Sequence, residues 1–299
     1  MKKIDKNTNQ ILKRFNKILL IEQANIFSQI QHLESMSKHL ATYLDKIMIQ
    51  TLSIKKNILK NKIKKNVVFL QREDADGVDS QIFKKMFIVY LQNQTYNHSI
   101  DKVIQKNLES DLSTIDNPIF FVIGDRKSEV EFKKNIKQKY KNSSFFHLFL
   151  ENNEESNFVL ISKILTKLIK NKLSENENIG EVHLVSTLAS NATITKVIPI
   201  FDYLSDFQEK YQINKEATAS FKYIPNVNIW LNNMVNEYLE VKFLQTLYEW
   251  NINEFLSKVN QLKKNIEKIE DKIEHSEKMM NRIKNKKITD DVILLGSSD

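Results

Sequence analysis

The chain has 299 residues, of which only 4 are Gly, 3 are Pro and none is Cys, and its formal net charge is +8. The absence of cysteine excludes disulfides and Cys-ligated metals, and the low Gly and Pro content favours helix. No apolar run is long enough for a membrane helix, and the first residues lack a signal-peptide core. We therefore expect a soluble cytoplasmic protein, with a peripheral place on the cytoplasmic face of the cell membrane as a variant of that expectation.

An uninterrupted first helix is predicted over residues 6–62, because neither Gly nor Pro occurs before residue 77. Its apolar residues recur at spacings typical of one helical face. They are Ile11, Phe15, Ile18, Ile26, Ile30, Leu33, Leu40, Leu44, Ile47, Ile54 and Ile58.

Strands alternate with helices in the middle of the chain, where six of the seven Gly and Pro residues lie. Strands are predicted at 66–70, 118–123, 145–150, 182–187 and 192–200, and helices at 80–90, 100–108, 128–140 and 157–173. This alternation predicts βαβ units and a mostly parallel sheet. Residues 202–225 are expected to be a loop region, with a further strand considered at 219–223.

The last helix is predicted from residue 227 to residue 295, a stretch without Gly or Pro that would be about 100 Å long. Its apolar residues are three and four apart in alternation, with the polar Ser276 filling the one gap of seven between Ile273 and Met280, and this is the a/d pattern of a coiled coil. They are Ile252, Phe255, Val259, Leu262, Ile266, Ile269, Ile273, Met280 and Ile283. Such a narrow apolar stripe predicts one long partner helix.

Two long helices at opposite ends of a chain can lie antiparallel when the chain between them folds compactly and returns. We therefore predict an α/β protein in which a long antiparallel coiled coil of the N- and C-terminal helices carries an inserted Rossmann-like α/β domain. The expected segments are a coiled-coil helix at 1–65, the α/β domain at 66–225 and the second coiled-coil helix at 226–299.

Basic residues cluster at 55–65 and again at 278–287, which fits either a contact with an acidic partner or a solvated helix face. Aromatic residues are not interleaved with these clusters, which argues against a platform for single-stranded nucleic acid. A basic arm that binds nucleic acid therefore remains a weak alternative, and no nucleic-acid partner is expected.

One stretch could carry catalytic chemistry. Asp74 and Asp76 precede Gly77 after a predicted strand, and this pattern resembles the nucleophile motif of haloacid-dehalogenase-type phosphatases. Together with Asp125 they could hold Mg²⁺. However, Asp74 stands four residues beyond the predicted strand, and the chain leaves little room for the lysine-bearing motif of that family. We interpret the stretch as a turn and keep a Mg²⁺-dependent phosphatase as a minor alternative.

No phosphate-binding loop of the Walker type is present, and the six histidines are scattered. We therefore predict no cofactor and no metal.

The end of the chain resembles the C-terminal signature of the F-type ATP synthase γ subunit. Asn281, Ile288 and Thr289 match that signature, while Lys284 and Asn285 stand where Arg and Gln are usual. Upstream, Glu254 and Lys258 stand where the family has a Glu and an Arg. Pieces of the middle segment resemble the family in the same order, around residues 67–82, 122–132 and 182–200.

The sequence also departs from the family. The glycine-rich loop after the first predicted strand keeps only Gly77, and the first helix aligns poorly. The end of the chain is about two residues short and finishes in Gly-Ser-Ser-Asp. The resemblance is therefore to a divergent γ-like subunit.

The resemblance implies a non-catalytic central-stalk subunit of an F-type-like rotary ATPase, including one that serves motility instead of ATP synthesis. The implied partners are α- and β-like P-loop subunits, about three of each, and ε- or δ-like subunits at the foot, with only indirect membrane contact. The implied subunit contacts are Glu254, Lys258, Asn281, Lys284, Asn285, Lys287, Ile288, Thr289, Val292 and Leu295. A static adaptor between an ATPase ring and a cytoskeletal or membrane partner is the main alternative.

Overall fold

Along the chain, one long helix precedes and another follows an alternation of strands and shorter helices. The computed structural model describes residues 6–60, 84–91, 99–109, 117–124, 126–149, 155–174, 179–188, 191–198 and 227–296. In chain order the elements are α1 (Lys6–Lys60), β1 (Lys84–Leu91), α2 (Ser99–Glu109), β2 (Ile119–Gly124), α3 (Arg126–Lys139), β3 (Ser144–Phe149), α4 (Glu155–Ser174), β4 (Ile179–Leu188), β5 (Asn191–Ile198) and α5 (Val227–Gly296).

The helix predicted at 80–90 was wrong for residues 84–90, the part that the structure describes. Residues 84–91 form β1, and from Met86 to Leu91 every side chain is buried. A parallel strand that is covered on both faces shows a continuous apolar run instead of alternation, and such a run cannot be told from a buried helix by periodicity. The other strands and helices predicted within the described residues are confirmed, with boundaries that differ by a few residues.

The five strands form one mixed sheet in the order β3-β2-β1-β4-β5. The first four strands are parallel, and β5 pairs antiparallel with β4 as a hairpin. The order 3-2-1-4 is the arrangement found in doubly wound α/β sheets. The predicted mostly parallel sheet is therefore confirmed.

Helices cover both faces of this sheet. On one face, α2 and α3 pack over a core that includes Phe87, Phe120 and Phe132. On the other face, the Tyr90 ring stacks on Trp250 of α5 at 4.6 Å between ring centroids. The apolar side chains of the parallel strands are thus removed from water on both sides, which is the main source of stability for such a sheet.

The chain divides into two compact units, and both long helices contribute to each of them. Unit 1 comprises Met1–His32 and Glu254–Asp299, and unit 2 comprises Leu33–Asn253 with the sheet. In unit 1, Lys13 pairs with Glu277 and Asn16 donates a hydrogen bond to Glu270. Since higher numbers on α1 meet lower numbers on α5, the two helices run antiparallel in this unit.

Unit 2 shows the same direction of pairing. Ser37 donates a hydrogen bond to Glu249 at 3.5 Å, and Tyr43 donates one to Glu237 further along α1. The hydrogen bond to Glu237 also raises the pKa of Tyr43, because it stabilises the protonated phenol.

The predicted apolar face of α5 is confirmed over most of its length. Val259, Ile266 and Ile269 are buried, and Leu262 and Ile273 pack against the same cluster together with Leu19 of α1. Ile283, the last residue of the predicted stripe, is 45% exposed.

The prediction for the beginning of α1 was wrong. Ile11, Phe15 and Ile18 are exposed, and the face that meets α5 carries Leu12 and Leu19 instead. Two stripes one residue apart both have the spacing of a helical face, and the sequence alone favours the more apolar one. The later members of the predicted stripe, from Ile26 to Ile47, are buried or half-buried as expected.

Several predictions fall outside the described residues. These are the strand at 66–70, the turn with Asp74 and Asp76, the region 202–225, and the side chains of Ile54 and Ile58. Among the helices that the structure describes, none has a stretch both long and apolar enough to cross a lipid bilayer.

Candidate functional site

The last sixteen residues of α5, residues 281–296, form what we call the terminal segment. The segment continues the helix without a break because no Gly or Pro interrupts it before Gly296. Seven of the ten predicted contact residues lie in it with exposed side chains, namely Asn281, Lys284, Asn285, Lys287, Ile288, Thr289 and Val292. Leu295 also belongs to this helical segment, and its side chain is outside the described set.

The terminal segment begins where the pairing of α5 with α1 ends. The pair of Lys13 with Glu277 is the contact between the two helices nearest to the segment among the described ion pairs. Ser276 is the last buried side chain among those that the structure describes on α5. Met279 and Met280 are half-buried, and every described side chain from Asn281 to Thr289 is exposed. Within the described residues the segment therefore has no packing partner.

Large apolar side chains are exposed on the terminal segment. Ile288 is 52% exposed, and Val292 and Ile293 are each 62% exposed, whereas Ile266 in the paired part of the same helix is 7% exposed. Because the removal of apolar surface from water is favourable, these side chains are suited to contact with another surface.

The charge of the terminal segment is mainly basic. Arg282, Lys284, Lys286 and Lys287 are all exposed, and none of the four is joined to a carboxylate within the described part of the chain. The single described side-chain hydrogen bond here is local, from Thr289 Oγ1 to the carbonyl oxygen of Asn285 at 3.0 Å. The segment can therefore attract a carboxylate-rich surface while it presents apolar groups to it.

The other two predicted contact residues lie far from the terminal segment. Glu254 and Lys258 form an ion pair of 2.9 Å one helical turn apart, and the Lys258 ammonium also lies over the Phe255 ring. At 1.5 Å per residue, Lys258 and Asn281 are about 35 Å apart along the helix axis. The structure therefore places the ten residues on one helix but does not bring them into a single site.

A second charged cluster, which the sequence analysis missed, is buried in the sheet of unit 2. Glu181 accepts hydrogen bonds from His183 Nε2 and from Lys196 Nζ, each at 2.9 Å, and Lys85 Nζ lies 3.5 Å away. The signal was available in the sequence, because Glu181 and His183 are two apart on a strand and therefore share a face.

The partners of Glu181 determine its protonation. Burial by itself would raise the pKa of this carboxyl group, but the hydrogen bonds from His183 and Lys196 outweigh burial and hold the pKa well below its usual range. The carboxylate is therefore charged at neutral pH. We interpret the cluster as structural, since the buried carboxylate has its partners within the sheet.

The residues described here do not form a metal site. Among them, no group of three or more His, Cys, Asp or Glu side chains could hold a metal ion. Glu129 and His147 form one close pair, at 2.9 Å, and burial lowers the pKa of His147 although Glu129 acts in the opposite direction. Asp74, Asp76 and Asp125, on which the phosphatase alternative depends, are outside the described residues.

No protein-family model matches the chain, and no curated protein sequence matches it.

Comparisons of the structure find distant neighbours among rotor assemblies. The chain is similar to a chain of the Euglena gracilis mitochondrial ATP synthase rotor, with 9% identity and a TM-score of 0.38 over 92% of this chain and 99% of that chain. A chain of the same organism's OSCP/F1/c-ring assembly gives 9% identity and a TM-score of 0.40, with 93% of each chain covered. A chain of the Tetrahymena thermophila central stalk and c-ring gives 10% identity and a TM-score of 0.38, with 78% of this chain and 98% of that chain covered. At these low identities and TM-scores, the likeness carries no conclusion about function.

Proposed function

We propose that the chain is a γ-like central-stalk subunit of a rotary ATPase, in which α1 and α5 form an antiparallel coiled coil that serves as the shaft. The observation that carries this proposal is the terminal segment. It is a helical extension beyond the paired helices, and its described side chains, both basic and apolar, are exposed. The resemblance of Asn281, Ile288 and Thr289 to the γ signature supports the same role.

In this proposal the ring that surrounds the shaft consists of α- and β-like P-loop subunits, about three of each. Val292, Ile293 and Leu295 turn within an apolar sleeve of the ring, and Lys284 and Lys287 face acidic side chains of the catalytic subunits. ATP hydrolysis or synthesis takes place in the ring, and this chain transmits torque by steric and electrostatic contact. The α/β part of unit 2 forms the foot, where ε- or δ-like subunits bind.

In a rotary ATPase, the coupling of the shaft to the ring depends on contacts that differ between the states of the ring. A ring whose catalytic sites have several states responds to the shaft only where the shaft touches those states differently. A surface with lysines at particular positions on a helix, such as Lys284 and Lys287, offers such a difference, because each orientation brings the charges next to a different subunit. Glu254 and Lys258 form a second contact level further down α5.

The first experiment is native purification of the chain from its cells, followed by measurement of mass, stoichiometry and ATPase activity. One copy of this chain with about three copies each of two P-loop subunits, together with ATPase activity, is the expected result. Rotation of a bead attached to unit 2 then separates a shaft from a static adaptor. Isolation of the chain alone, or with nucleic acid and without ATPase activity, would contradict the proposal.

The role of the terminal segment has its own test in the purified complex. The triple variant Lys284→Glu/Lys286→Glu/Lys287→Glu is expected to lower the rate of coupled rotation by about tenfold, which corresponds to about 1.4 kcal/mol. The matched control is Lys263→Glu/Lys264→Glu/Lys268→Glu, which makes the same charge change at exposed lysines of α5 that are not predicted contacts. Equal rates for both variants in an intact complex would show that the terminal lysines do not carry the coupling.

A further inference from the structure

The face of α1 that meets α5 in unit 1 is unusually polar. Its apolar side chains are Leu12, Leu19 and Ile26, and they alternate with Asn9, which is 5% exposed, and with the half-buried Asn16 and Gln23. In a helix pair, apolar residues are expected at both the a and the d positions of each heptad. Here one of the two positions is polar in three successive heptads.

A more apolar stripe lies one residue back on the same helix and is exposed. Ile11, Phe15 and Ile18 are 63%, 50% and 58% exposed, and each of them directly precedes a residue of the buried face. A step of one residue along an α-helix corresponds to a rotation of about 100° and a translation of about 1.5 Å. A rotation of this size would place the exposed stripe against α5 in place of the buried one.

The contact between α1 and α5 in unit 1 also leaves polar atoms without partners. Asn9 Oδ1, Asn16 Oδ1 and Ser276 Oγ are buried and make no hydrogen bond with any residue that the structure describes. Asn16 contributes only its Nδ2 group, which donates to Glu270 at a long 3.4 Å. A buried polar atom without a partner opposes the packing that buries it. The observed pairing therefore loses stability from both faces of α1, since one exposes apolar groups and the other buries polar ones.

We propose that the first part of α1 exists in two registers against α5. In one, the residues facing α5 are Asn9, Leu12, Asn16 and Leu19, as in the structure. In the other, the helix is shifted by one residue, so that Thr8, Ile11, Phe15 and Ile18 face α5. Neither register is strongly favoured, because the second gains apolar contacts that the first lacks.

The change is confined to the first part of the helix. The next position of the second stripe, four residues after Ile18, is Glu22, whose burial in an apolar seam would be unfavourable. From Ile26 and Ile30 onward, the buried face is regularly apolar, so this part is expected to keep its register. The two parts can be joined by a local change of helical twist between Leu19 and Ile26. The two registers therefore expose different surfaces of α1 to solvent near Ile266.

Disulfide trapping can distinguish the two registers, because the natural chain has no cysteine. Leu19 packs in the same cluster as Ile266, so the pair Leu19→Cys/Ile266→Cys reports the register of the structure. The pair Ile18→Cys/Ile266→Cys reports the shifted register. Lys17→Cys/Ile266→Cys is the matched control, because Lys17 points away from α5 in both registers and two cysteines pair only when their Cα atoms are close.

We expect both reporter pairs of the full chain to form disulfides in a thiol redox buffer, with the control pair at background. Adding Asn9→Leu and Asn16→Leu removes the buried polar groups and favours the observed register. The fraction of the Ile18→Cys/Ile266→Cys disulfide should then fall by about tenfold. Circular dichroism checks that every variant keeps its helix content.

Two results would overturn the proposal. One is an Ile18→Cys/Ile266→Cys pair that forms no more disulfide than the Lys17 control while the Leu19 pair forms fully. That outcome would mean that α1 has a single register and that its exposed stripe contacts something other than α5. The other is a shifted-register disulfide that does not respond to the two leucine substitutions. Both readouts are independent of whether the chain belongs to an ATPase.

Discussion

Charge is concentrated in two regions of the molecule and used differently in each. In the sheet of unit 2, Glu181 is buried and balanced by His183, Lys196 and Lys85. In the terminal segment of unit 1, four basic side chains are exposed and meet no carboxylate within the described residues. Charges whose partners lie in the same chain support the fold. Charges without such partners contribute little to the fold and are available to another molecule.

The largest effect on stability is expected in the buried cluster. Glu181→Gln should lower the free energy of unfolding at neutral pH by about 3 kcal/mol, because the remaining cations lose a buried partner. Denaturant unfolding measures this, with the exposed Glu131→Gln as a control that should change stability by less than about 0.5 kcal/mol. Similar losses in the two variants would mean that the cluster does not support the sheet.

The same cluster predicts a pH dependence. The pKa of Glu181 is lower in the folded chain than in the unfolded one, where it has its ordinary value of about 4.5. Its contribution is therefore fully present above that value and is lost as the pH falls from there toward the folded pKa. Glu181→Gln should remove this part of the acid-induced loss. An unchanged difference in unfolding free energy between the two proteins across this range would contradict the assignment.

An intermediate effect is expected from matched isoleucines on α5. Ile266→Ala should lower the free energy of unfolding by about 2 kcal/mol, since Ile266 is buried against Leu19. Ile288→Ala in the terminal segment should change it by less than about 0.5 kcal/mol. Thermal unfolding of the isolated chain compares them directly. A large loss for Ile288→Ala would indicate that the terminal segment packs within the chain.

Removal of the terminal segment should leave the rest of the fold nearly unchanged. A chain that stops after Met280 is expected to unfold within about 0.5 kcal/mol of the full chain, because the described side chains of the segment are exposed. If the segment is the ring contact, the shortened chain will still fold but will lose its effect on ring activity. The free energy of unfolding and the ring activity are measured on the same preparation, and the expected result is an unchanged free energy with a lost activity.

The smallest effect is expected for the ion pair of Glu254 with Lys258 on α5. Lys258→Ala should cost about 0.3–0.5 kcal/mol in the isolated chain, which is typical of an ion pair one turn apart on a helix. A much larger effect on ring binding than on unfolding would support Lys258 as a subunit contact. Effects of equal size would leave it as a local pair with Glu254.

Much of the architecture could be predicted from spacing and composition. The alternation of three and four residues on α5 identified the buried face from Val259 to Ile273, because one helical face repeats with that period whatever its partner is. The contact residues predicted for the terminal segment come from a resemblance, since exposure and charge leave no periodic signal. The Glu181 cluster was missed, although its spacing of two residues placed both side chains on one face.

By itself, the sequence determined the two long helices, the α/β alternation between them and the apolar face of α5. These follow from local rules, namely the scarcity of Gly and Pro and the period of the apolar residues. Only the tertiary structure decided that residues 84–91 form a central strand, because burial on both faces removes the alternation that would reveal it. Only the tertiary structure decided which stripe of α1 meets α5. Both stripes have helical spacing, and the one that is buried depends on how the second helix lies against the first.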